Sequence, residues 1–511
     1  MEFDRTYNAA RDLVDRNVEE GRGAKLAYID PERTLTFDGL ASQTRRMANA
    51  LEALGIRREE RIAVLMLDTV DWPVVFFGAI RAGIVPVALN TLLTTAQYEY
   101  MLNDSRARAL FVSVELYPVV KDCIAASPFL EHVVIAGGDA GGHARLDSLL
   151  EEADSTYETV ATCADETAFW LYSSGSTGNP KGTLHVQTSM AYTARTYGQN
   201  VLGIREDDIC YSAAKFFFAY GLGNSISFPL SVGATTVLLP TRPTPADVFK
   251  TLKTYQPTLF FGVPTLFAAI LADRGCTPEN GSQALRLCAS AGEALPRDVG
   301  EHWRKRYGVD IIDGVGSTEM LHIFLSNRPG DVRYGTSGKP FDGYDLRLVD
   351  DKGADVPTGE IGELLVNGSS SASGYWNQRE KTRKTFEGEW THTGDKYTLD
   401  EEGYYHYCGR TDDMFKVSGI WVSPFDVEQA LISHPAVLEA AVVAHEDDDA
   451  LIKPKAFVIL VEGASSDGLY EELKEHVKSS IGKWKYPRWI EFVDDLPKTA
   501  TGKIQRFKLR S

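Results

Sequence analysis

Tyr172-Ser-Ser-Gly-Ser-Thr-Gly-Asn-Pro-Lys-Gly-Thr183 is the stretch of this sequence around which the fold is organised. It contains three glycines, five serine or threonine hydroxyls and one lysine, and it follows the apolar residues 168–172, which predict a buried strand. Glycines let the backbone take positive φ and come close to a ligand, while backbone N–H groups and hydroxyls can surround an anion. The stretch therefore predicts a phosphate-binding loop.

This loop differs from the common nucleotide-binding loop, which needs a Gly-Lys-Ser/Thr sequence that opens a helix. Pro180 precedes Lys181, and residues 183–186 continue as a second short strand. The loop is therefore expected between two strands, where it would close over a polyphosphate. The alternative is an ordinary flexible turn, although turns rarely combine so many hydroxyls with a Pro-Lys-Gly sequence.

The composition is that of an ordinary globular protein, with 43% hydrophobic and 24% charged residues. Its length of 511 residues suggests roughly three structural units. The net charge of −18 argues against nucleic acid or an anionic membrane as a partner. The six cysteines form no CxxC pair, which gives neither a usual zinc spacing nor a disulfide framework. No signal peptide and no run of about 20 apolar residues is visible, so we expect a cytoplasmic protein.

Strands and helices alternate along most of the chain. Residues 61–67 predict a strand, residues 71–82 a helix and residues 85–89 a strand, and similar alternation returns at 235–274 and 285–313. This pattern predicts an α/β protein with two doubly wound sheets. Further segments are predicted as helices at 9–22, 41–54, 427–434 and 468–480, and as a polar connection at 137–161.

The C-terminal part of the sequence has a different character. From about residue 335 short strands alternate with Gly and Asp turns, which predicts a small β-rich subdomain. A boundary is expected near residues 409–413, followed by a compact αβ segment. We therefore expect an N-terminal domain of residues 1–411 and a C-terminal domain of residues 412–511.

Two turns that follow strands carry residues suited to a nucleotide. Residues 314–319 (Gly-Val-Gly-Ser-Thr-Glu) come after a strand predicted to end at Asp313, a place where open α/β sheets bind ligands. Thr318 is suited to a phosphate oxygen and Glu319 to a magnesium ion that also holds phosphate. The alternative is a capping box at the start of a helix. Residues 290–296 form a similar turn, which is suited to support a flat base.

Two later stretches have polar residues of the same kind. Residues 393–395 and 407–413 frame a hairpin-like run, in which a carboxylate suits ribose hydroxyls and Arg410 suits ribose or phosphate. Surface turns are the alternative for both. Near the C-terminus, residues 496–506 place Lys503 on a glycine-bearing turn flanked by threonines, and a basic solvated tail is the alternative.

Together these stretches resemble the adenylate-forming acyl-CoA synthetases. The resemblance covers essentially the whole chain and rests on six ordered motifs, at residues 172–183, 316–319, 393–395, 409–413, 416–419 and 497–503. Residues 217–224 and 317–327 look most like the benzoate–CoA ligases of that family. The family fold implied is a large N-terminal domain, with two doubly wound αβ sheets and a distorted β-barrel, and a small mobile α+β C-terminal domain.

The resemblance implies a role for each motif. Lys503 would bridge the acyl carboxylate and the α-phosphate of ATP, while Thr318 and Glu319 serve the α-phosphate and Mg²⁺, with Thr177 as a second metal contact. The C-terminal domain would then rotate about Asp412, so that Gly419 lines a tunnel for coenzyme A. The nucleotide would be bound by Ser173, Ser174, Gly175, Ser176, Thr177, Gly178, Lys181, Ala291, Gly292, Glu293, Asp313, Gly314, Asp395 and Arg410.

An acyl pocket is also implied, with walls formed by Phe218, Ala219, Tyr220, Gly221, His322 and Ile323. Aromatic and β-branched walls favour a small flat ring. A hydrogen-bonded core histidine is the alternative for His322. We expect benzoate to be preferred over 4-hydroxybenzoate, because no extra carboxylate or amide is visible to receive the hydroxyl.

The implied function is ATP-dependent ligation of benzoate, or of a closely related small aryl acid, to coenzyme A through benzoyl-AMP, by a monomer or homodimer. The alternatives are a ligase for a substituted benzoate such as 4-hydroxybenzoate, a peptide-synthetase-type adenylation unit, a luciferase-like oxygenase and a non-catalytic nucleotide sensor. The absence of a carrier domain after Lys503 disfavours the adenylation unit. The presence together of Lys181, Glu319, Arg410 and Lys503 disfavours the sensor.

Overall fold

The computed structural model describes residues 2–139, 141–173, 179–417, 420–447, 451–482, 485–498 and 504–510. Two large sheets and the helices around them form most of the N-terminal domain, and a smaller αβ unit follows after the strand Tyr405–Arg410. The predicted α/β class and the division into a large and a small domain are therefore confirmed.

The first sheet has eight strands, and six of them run parallel. Their order is Ala144–Arg145, His132–Ala136, Ala109–Ser113, Arg61–Leu65, Val85–Ala88 and Thr167–Ser173, followed by the antiparallel strands Lys181–Val186 and Gly374–Tyr375. The helices of this part are Phe37–Ala53, Asp71–Arg81, Thr95–Ser105, Tyr117–Ile124 and Leu146–Glu152.

The second sheet has nine strands, again with six parallel ones in its centre. The order is Thr34–Thr36, Leu26–Ile29, Thr235–Val237, Ile209–Ser212, Leu259–Gly262, Leu287–Ser290, Ile311–Gly316, Ile323–Ser326 and Lys339–Pro340. Its α-helices are Arg16–Glu19, Ser189–Thr193, Ala219–Leu222, Phe228–Val232, Pro245–Tyr255, Pro264–Ala272 and Arg297–Tyr307. Short π- and 3₁₀-helical turns lie at Arg11–Asp15, Ala194–Gln199, Gly223–Ser227 and Pro278–Asn280.

The two sheets share a continuous aromatic core. Trp72 stacks on Phe76 with ring centroids 4.8 Å apart and on Phe216 with centroids 4.7 Å apart. All three side chains are fully buried. Since Trp72 lies on a helix of the first sheet and Phe216 follows a strand of the second, burial of these rings fixes the two sheets against each other.

The predicted β-rich subdomain is a five-stranded antiparallel sheet of Asp345–Val349, Gly362–Asn367, Trp390–Leu399, Phe386–Glu387 and Tyr405–Arg410. The helix Arg379–Thr385 lies beside it. The C-terminal unit contains the hairpin Phe415–Val417 and Ile420–Val422, a three-stranded sheet of Val437–Glu446, Ile452–Leu460 and Trp489–Phe492, the helices Pro424–Ile432 and Leu469–Ile481, and the 3₁₀ turn Arg506–Leu509.

The C-terminal unit docks on the end of the five-stranded sheet. Phe425, on its first helix, packs edge-on against Tyr407 with ring centroids 5.2 Å apart. Within the unit, Arg506 forms an ion pair with the buried Glu428 at 2.7 Å and a longer one with Asp413 at 3.5 Å. The last described turn is thereby tied to the first helix of the unit.

Three of the differences from the sequence-based prediction change how the elements are arranged. The helix expected at 41–54 begins at Phe37, because the Thr36 hydroxyl accepts a hydrogen bond from the Gly39 N–H (3.1 Å) and caps it. The connection expected at 137–161 contains the strand Ala144–Arg145 and the helix Leu146–Glu152. The strand expected to end at Asp313 continues to Gly316, which changes the position of the following turn.

That extended strand depends on its glycines. Gly314 and Gly316 pair with the antiparallel strand Ile323–Ser326. A Cβ at Gly314 would lie 2.9 Å from the Ile323 side chain, and one at Gly316 would lie 2.5 Å from the His322 carbonyl oxygen. Glycine is rare inside strands, but here only glycine permits the close approach of the two backbones. The turn that carries Thr318 and Glu319 therefore begins at Ser317.

Candidate active site

The predicted phosphate loop connects two strands of the first sheet. The leading strand (Thr167–Ser173) and the trailing strand (Lys181–Val186) are antiparallel, and Ser173 pairs with Lys181. The prediction of a loop between strands is confirmed for these flanks. Of the expected phosphate contacts, Ser174, Gly175, Ser176, Thr177 and Gly178 lie outside the described residues.

Lys181 and Glu319 come together where the loop ends and the trailing strand begins. The Lys181 Nζ atom lies 3.7 Å from Glu319 Oε1, and both side chains are about one-sixth exposed, at 17% and 16%. Burial lowers the pKa of Lys181, and the charge of Glu319 opposes that shift. Glu319 lies in a turn without a following helix, so the alternative of a capping box is wrong.

His185 fixes the turn that carries Glu319. Its imidazole is fully buried, and Nε2 lies 2.9 Å from the backbone carbonyl oxygen of Thr318. Burial lowers the pKa of His185 to about 4, so the ring is neutral and donates the Nε2 proton to that carbonyl. The same turn holds the buried Leu321 at φ +65°, a conformation that bulky residues rarely adopt. Nothing in the sequence around His185 indicates this role.

Asp313 lies beside the turn that was predicted to support a base. Parallel pairing sets it next to Ser290, and Asp313 Oδ2 accepts a hydrogen bond from the Leu295 N–H at 3.3 Å. Its other oxygen, Oδ1, is buried and has no hydrogen-bond partner in the described chain. Burial raises the pKa of Asp313 to about 8. An unpaired oxygen at this depth is a ready contact for a polar ligand atom.

The other residues predicted around the base lie in that same turn. Ala291 is buried, Glu293 is half-buried and Gly292 is exposed. Gly292 has φ +96°, which favours glycine at that position. Gly314 lies one residue beyond Asp313, inside the strand. The structure therefore brings together all the residues predicted to face the base.

Asp395 and Arg410 pair across two neighbouring strands. Arg410 Nη1 donates to Asp395 Oδ1 at 3.0 Å and to the Thr393 carbonyl oxygen at 2.9 Å. Gly394 has φ +69°, and a Cβ there would lie 2.8 Å from the Arg410 guanidinium. The charge of Asp395 raises the pKa of Arg410 above its ordinary value. Both residues belong to strands, so the alternative of surface turns holds only for residues 411–413 of the second stretch.

The residues of the predicted acyl pocket also come together. His322 is buried, and its Nε2 atom lies 3.2 Å from Asn224 Oδ1 and 3.3 Å from the Tyr220 carbonyl oxygen. Its ring lies among those of Tyr197, Tyr220 and Phe228, at centroid distances of 5.4, 5.5 and 4.5 Å. Burial lowers the pKa of His322 to about 3, so the imidazole is neutral.

The other residues predicted for the acyl pocket are Phe218, Ala219, Gly221 and Ile323. Ala219 and Ile323 are buried and Phe218 is half-buried. Only glycine fits at position 221, because a Cβ there would lie 2.0 Å from the Lys215 carbonyl oxygen. Tyr197 and Phe228 are neighbours of His322 that the sequence does not indicate, since neither lies in a recognisable motif.

Three polar atoms at or beside His322 are buried without a hydrogen-bond partner within the described ranges: His322 Nδ1, the Tyr220 hydroxyl and Asn224 Nδ2. Asn224 places an amide beside His322, and the expected preference for benzoate over 4-hydroxybenzoate stays a prediction. Asn224 is the last residue of the motif at 217–224, but its orientation toward His322 depends on the folded backbone.

The C-terminal residues of the prediction fall largely outside the described chain. This holds for Lys503 and Gly419. Asp412 is described, and its backbone carbonyl oxygen accepts a hydrogen bond from Arg510 Nη2 at 3.0 Å. The roles assigned to these three residues stay predictions.

The described residues fit a metal ion held jointly with phosphate. Among them no group of three or more His, Cys, Asp or Glu side chains could hold a metal. Mg²⁺ in nucleotide sites is bound by one or two carboxylates together with substrate phosphates, and Glu319 offers one carboxylate at the foot of the phosphate loop. None of the helices in the described part of the chain is long and apolar enough to cross a membrane.

This fold and this set of residues are those of a nucleotide-binding enzyme with an adjoining buried cluster of aromatic rings around His322. The profile of the AMP-binding enzymes matches residues 14–376, and that of the AMP-binding enzyme C-terminal domain matches residues 426–503. The chain belongs to the family of AMP-binding enzymes.

Its relatives include two proteins that are 58% identical over 508 residues, which is 99% of this chain. One is a 4-hydroxybenzoate–CoA/benzoate–CoA ligase of Rhodopseudomonas palustris, and the match spans 94% of its length. The other is a benzoate–CoA ligase of Thauera aromatica, and the match spans 96% of its length.

Solved structures of similar proteins cover the same length. The anthranilate CoA ligase AuaEII in complex with anthranoyl-AMP is 45% identical with a TM-score of 0.96, over 100% of this chain and 98% of that one. A benzoate CoA ligase from Burkholderia xenovorans LB400 is 49% identical with a TM-score of 0.92, over 99% of this chain and 100% of that one.

Proposed function

We propose that this protein ligates benzoate to coenzyme A in an ATP-dependent reaction that passes through benzoyl-AMP. One observation carries the proposal: a single hairpin, Ile311–Gly316 and Ile323–Ser326, joins the nucleotide side to the acyl side. Asp313 lies on its first strand, Glu319 in its turn, and His322 directly before its second strand. A carboxylate in the pocket would thus lie beside a bound nucleotide. The names of the two relatives at 58% identity support the choice of acid.

The chemistry needs two anions to meet. One carboxylate oxygen of benzoate attacks the α-phosphorus of ATP, and the bond from that phosphorus to pyrophosphate breaks. The thiol of coenzyme A then attacks the carbonyl carbon, the bond to AMP breaks, and the thiol proton passes to solvent. Positioning and charge neutralisation dominate catalysis of this kind of step.

The residues of the site have matching tasks. Lys181 neutralises charge on the β- and γ-phosphates, and Thr318 contacts the α-phosphate. The Asp395–Arg410 pair receives the ribose, and Asp313 with residues 291–293 receives the base. Glu319, with Thr177, would hold Mg²⁺, which when bound neutralises further phosphate charge.

We further propose that the C-terminal domain, residues 412–511, supplies the catalytic Lys503 for adenylation and then rotates about Asp412. In the second pose Gly419 lines the channel for coenzyme A. This division would explain why two sets of required residues lie on one small domain. We place the enzyme in the cytoplasm as a monomer or homodimer. All six cysteines lie in the described chain as free thiols, which supports a reducing compartment.

A second candidate substrate is 4-hydroxybenzoate. The unpaired Asn224 Nδ2 and Tyr220 hydroxyl favour it, because buried polar atoms without partners cost stability unless a ligand pairs with them. Benzoate stays the primary proposal, since the pocket is otherwise built from aromatic rings and a neutral imidazole.

The proposal is tested by release of pyrophosphate and AMP with ATP and Mg²⁺, with and without coenzyme A. The acids would be benzoate, its 2-, 3- and 4-substituted derivatives, cyclohexanecarboxylate, acetate and hexanoate. Coenzyme-A-dependent turnover confined to small aryl acids is the expected result. Turnover on alkyl acids would refute the pocket but keep the mechanism, and no release with any acid would favour a nucleotide sensor.

A further inference from the structure

A short backbone segment (residues 372–376), named here the bridging segment, joins the two halves of the phosphate site. Its Ala372 N–H donates to the Glu319 carbonyl oxygen at 2.8 Å, and its Trp376 N–H donates to the Gly182 carbonyl oxygen at 2.8 Å. Between them, Gly374–Tyr375 forms the edge strand paired with the trailing strand. The segment therefore connects the Glu319 turn of the second sheet to the phosphate loop of the first.

The side chain of Tyr375 lies between the two charged groups of that site. Its hydroxyl donates to Glu319 Oε1 at 2.7 Å, and the Lys181 Nζ atom lies 4.1 Å from the centroid of its ring. The tyrosine is only 5% exposed. The phenol is the donor of this hydrogen bond, because an ionised carboxylate can only accept.

The backbone at Tyr375 is itself immobilised. The Tyr375 N–H donates to the Thr382 hydroxyl at 3.0 Å, on the helix Arg379–Thr385. Gly374 has φ +147°, and a Cβ there would lie 2.8 Å from the Thr382 methyl group. A tyrosine ring has few rotatable bonds, so it holds its hydroxyl in place at a small entropic cost, unlike the long side chains of lysine and glutamate.

Tyr375 keeps Lys181 and Glu319 from closing into a direct ion pair. A lysine and a glutamate that meet without a third partner close into a direct ion pair at about 2.8 Å, whereas Lys181 and Glu319 stand 3.7 Å apart. The Tyr375 hydroxyl occupies Glu319 Oε1, and its ring face attracts the ammonium of Lys181. The second carboxylate oxygen of Glu319 and the N–H groups of Lys181 are thereby kept for other partners.

We propose that Tyr375 is a positioning residue for adenylation, which orients the Glu319 carboxylate toward a metal ion and keeps the Lys181 ammonium available for phosphate. The proposal rests on the proposed function, because it assumes that Mg²⁺ and ATP bind at this place. Tyr375 acts through Glu319 and Lys181, and it need not touch the substrate.

The test measures binding of a non-hydrolysable ATP analogue by calorimetry, once with Mg²⁺ and once with excess EDTA. Tyr375→Phe keeps the ring under Lys181 but removes the hydroxyl, so the gain in affinity due to Mg²⁺ should fall by about fivefold or more, while the metal-free Kd stays within about twofold. Tyr375→Leu removes the ring as well and should weaken binding under both conditions.

Tyr334→Phe is the matched control. The Tyr334 hydroxyl donates to Asp310 Oδ1 at 2.9 Å, and the residue is 8% exposed. Asp310 directly precedes the strand Ile311–Gly316, whereas Glu319 follows it. The control therefore removes the same kind of hydrogen bond at the opposite end of the same strand, and it should leave both Kd values unchanged.

Two further measurements separate positioning from a structural role. In the Glu319→Gln background, Tyr375→Phe should cause no additional loss of the Mg²⁺-dependent gain. Formation of benzoyl-CoA from supplied benzoyl-AMP should stay within about twofold of the wild type in Tyr375→Phe, because no phosphate tail of ATP takes part in that step.

The proposal is overturned if Tyr375→Phe binds the magnesium complex like the wild type, if it loses affinity equally with and without Mg²⁺, or if it fails to fold. Failure of the proposed function would be a different result, because the wild-type protein would then bind no nucleotide or release no AMP with any acid.

Discussion

His185 gives the sharpest prediction about the architecture of the site. Replacing it by leucine preserves the approximate volume of the side chain but removes the hydrogen bond of 2.9 Å from Nε2 to the Thr318 carbonyl oxygen. That carbonyl oxygen also accepts the Leu321 N–H at 3.2 Å, so it keeps one partner. The direct loss is then that of one net hydrogen bond, about 1 kcal/mol.

The turn adds to that loss because it is strained. Leu321 is held at φ +65°, and a residue of this kind in the left-handed region costs on the order of 1–3 kcal/mol. Without His185 the turn can relax and move Glu319. We therefore expect His185→Leu to lower kcat/KM for ATP by about tenfold, which corresponds to about 1.4 kcal/mol of transition-state stabilisation.

The assay compares the two half-reactions. Adenylation is followed by pyrophosphate release, and thioester formation by benzoyl-CoA produced from supplied benzoyl-AMP. His185→Leu should slow the first and leave the second within about twofold. His185→Gln places an amide N–H near the position of the imidazole Nε2 and should restore most of the rate. A matched control is Asn17→Leu, which removes buried hydrogen bonds to the Leu13 and Leu230 carbonyl oxygens at 2.8 and 2.9 Å, far along the chain from the turn.

The reasoning is refuted if His185→Gln is as slow as His185→Leu, or if both half-reactions slow equally. It is also refuted if Asn17→Leu reproduces the loss of adenylation, because the effect would then report only general destabilisation.

Three further predictions concern other parts of the site. Lys503→Ala should abolish adenylation but spare thioester formation from supplied benzoyl-AMP, and Gly419→Leu should do the reverse. Asp313→Asn should become more thermally stable than the wild type as pH rises from about 5 to about 8, by up to about 1.4 kcal/mol of unfolding free energy per pH unit. Asn224→Leu should lower kcat/KM for 4-hydroxybenzoate by at least about fivefold more than for benzoate.

The sign of the Asp313 effect follows from its pKa, which burial raises from 3.8 to about 8. Between these values the folded state holds the proton and the unfolded state releases it, so the free energy of unfolding of the wild type falls as pH rises. Asparagine has no such proton and keeps an oxygen for the Leu295 N–H. The measurement is the thermal midpoint of both proteins across this pH range. Midpoints that change equally with pH would contradict a raised pKa of Asp313 in the folded state.

The predictions for the C-terminal domain and for Asn224 can each be contradicted by a specific result. Loss of both half-reactions in Lys503→Ala and in Gly419→Leu would contradict the rotation of the C-terminal domain between two poses. An unchanged ratio of kcat/KM values in Asn224→Leu would show that its amide does not face a ring hydroxyl, and would leave the preference for benzoate to the aromatic walls alone.

The features that the sequence predicts well are those with a local cause. Alternation of apolar strands and amphipathic helices identifies both sheets, and the helix predicted at residues 71–82 is observed at Asp71–Arg81. The pairing of Asp395 with Arg410 follows from a hairpin whose strands are near in sequence. The alternation pattern requires no knowledge of how the two sheets pack.

The features that it misses depend on contacts between distant segments. His185 and Thr318 are 133 residues apart, and Tyr375 lies 56 residues beyond Glu319. A histidine in an apolar strand and a tyrosine in an edge strand give no local signal of their partners. The glycines of Ile311–Gly316 even mislead, because their low strand propensity is overridden by the close approach of the strand Ile323–Ser326.

The central claim is that the enzyme forms benzoyl-AMP as a discrete intermediate. The most direct measurement is exchange of labelled pyrophosphate into ATP in the absence of coenzyme A. We predict exchange that requires both benzoate and Mg²⁺ and that disappears in Lys503→Ala. Exchange in the absence of any acid would contradict this claim. So would an enzyme that ligates benzoate to coenzyme A but shows no pyrophosphate exchange when coenzyme A is left out.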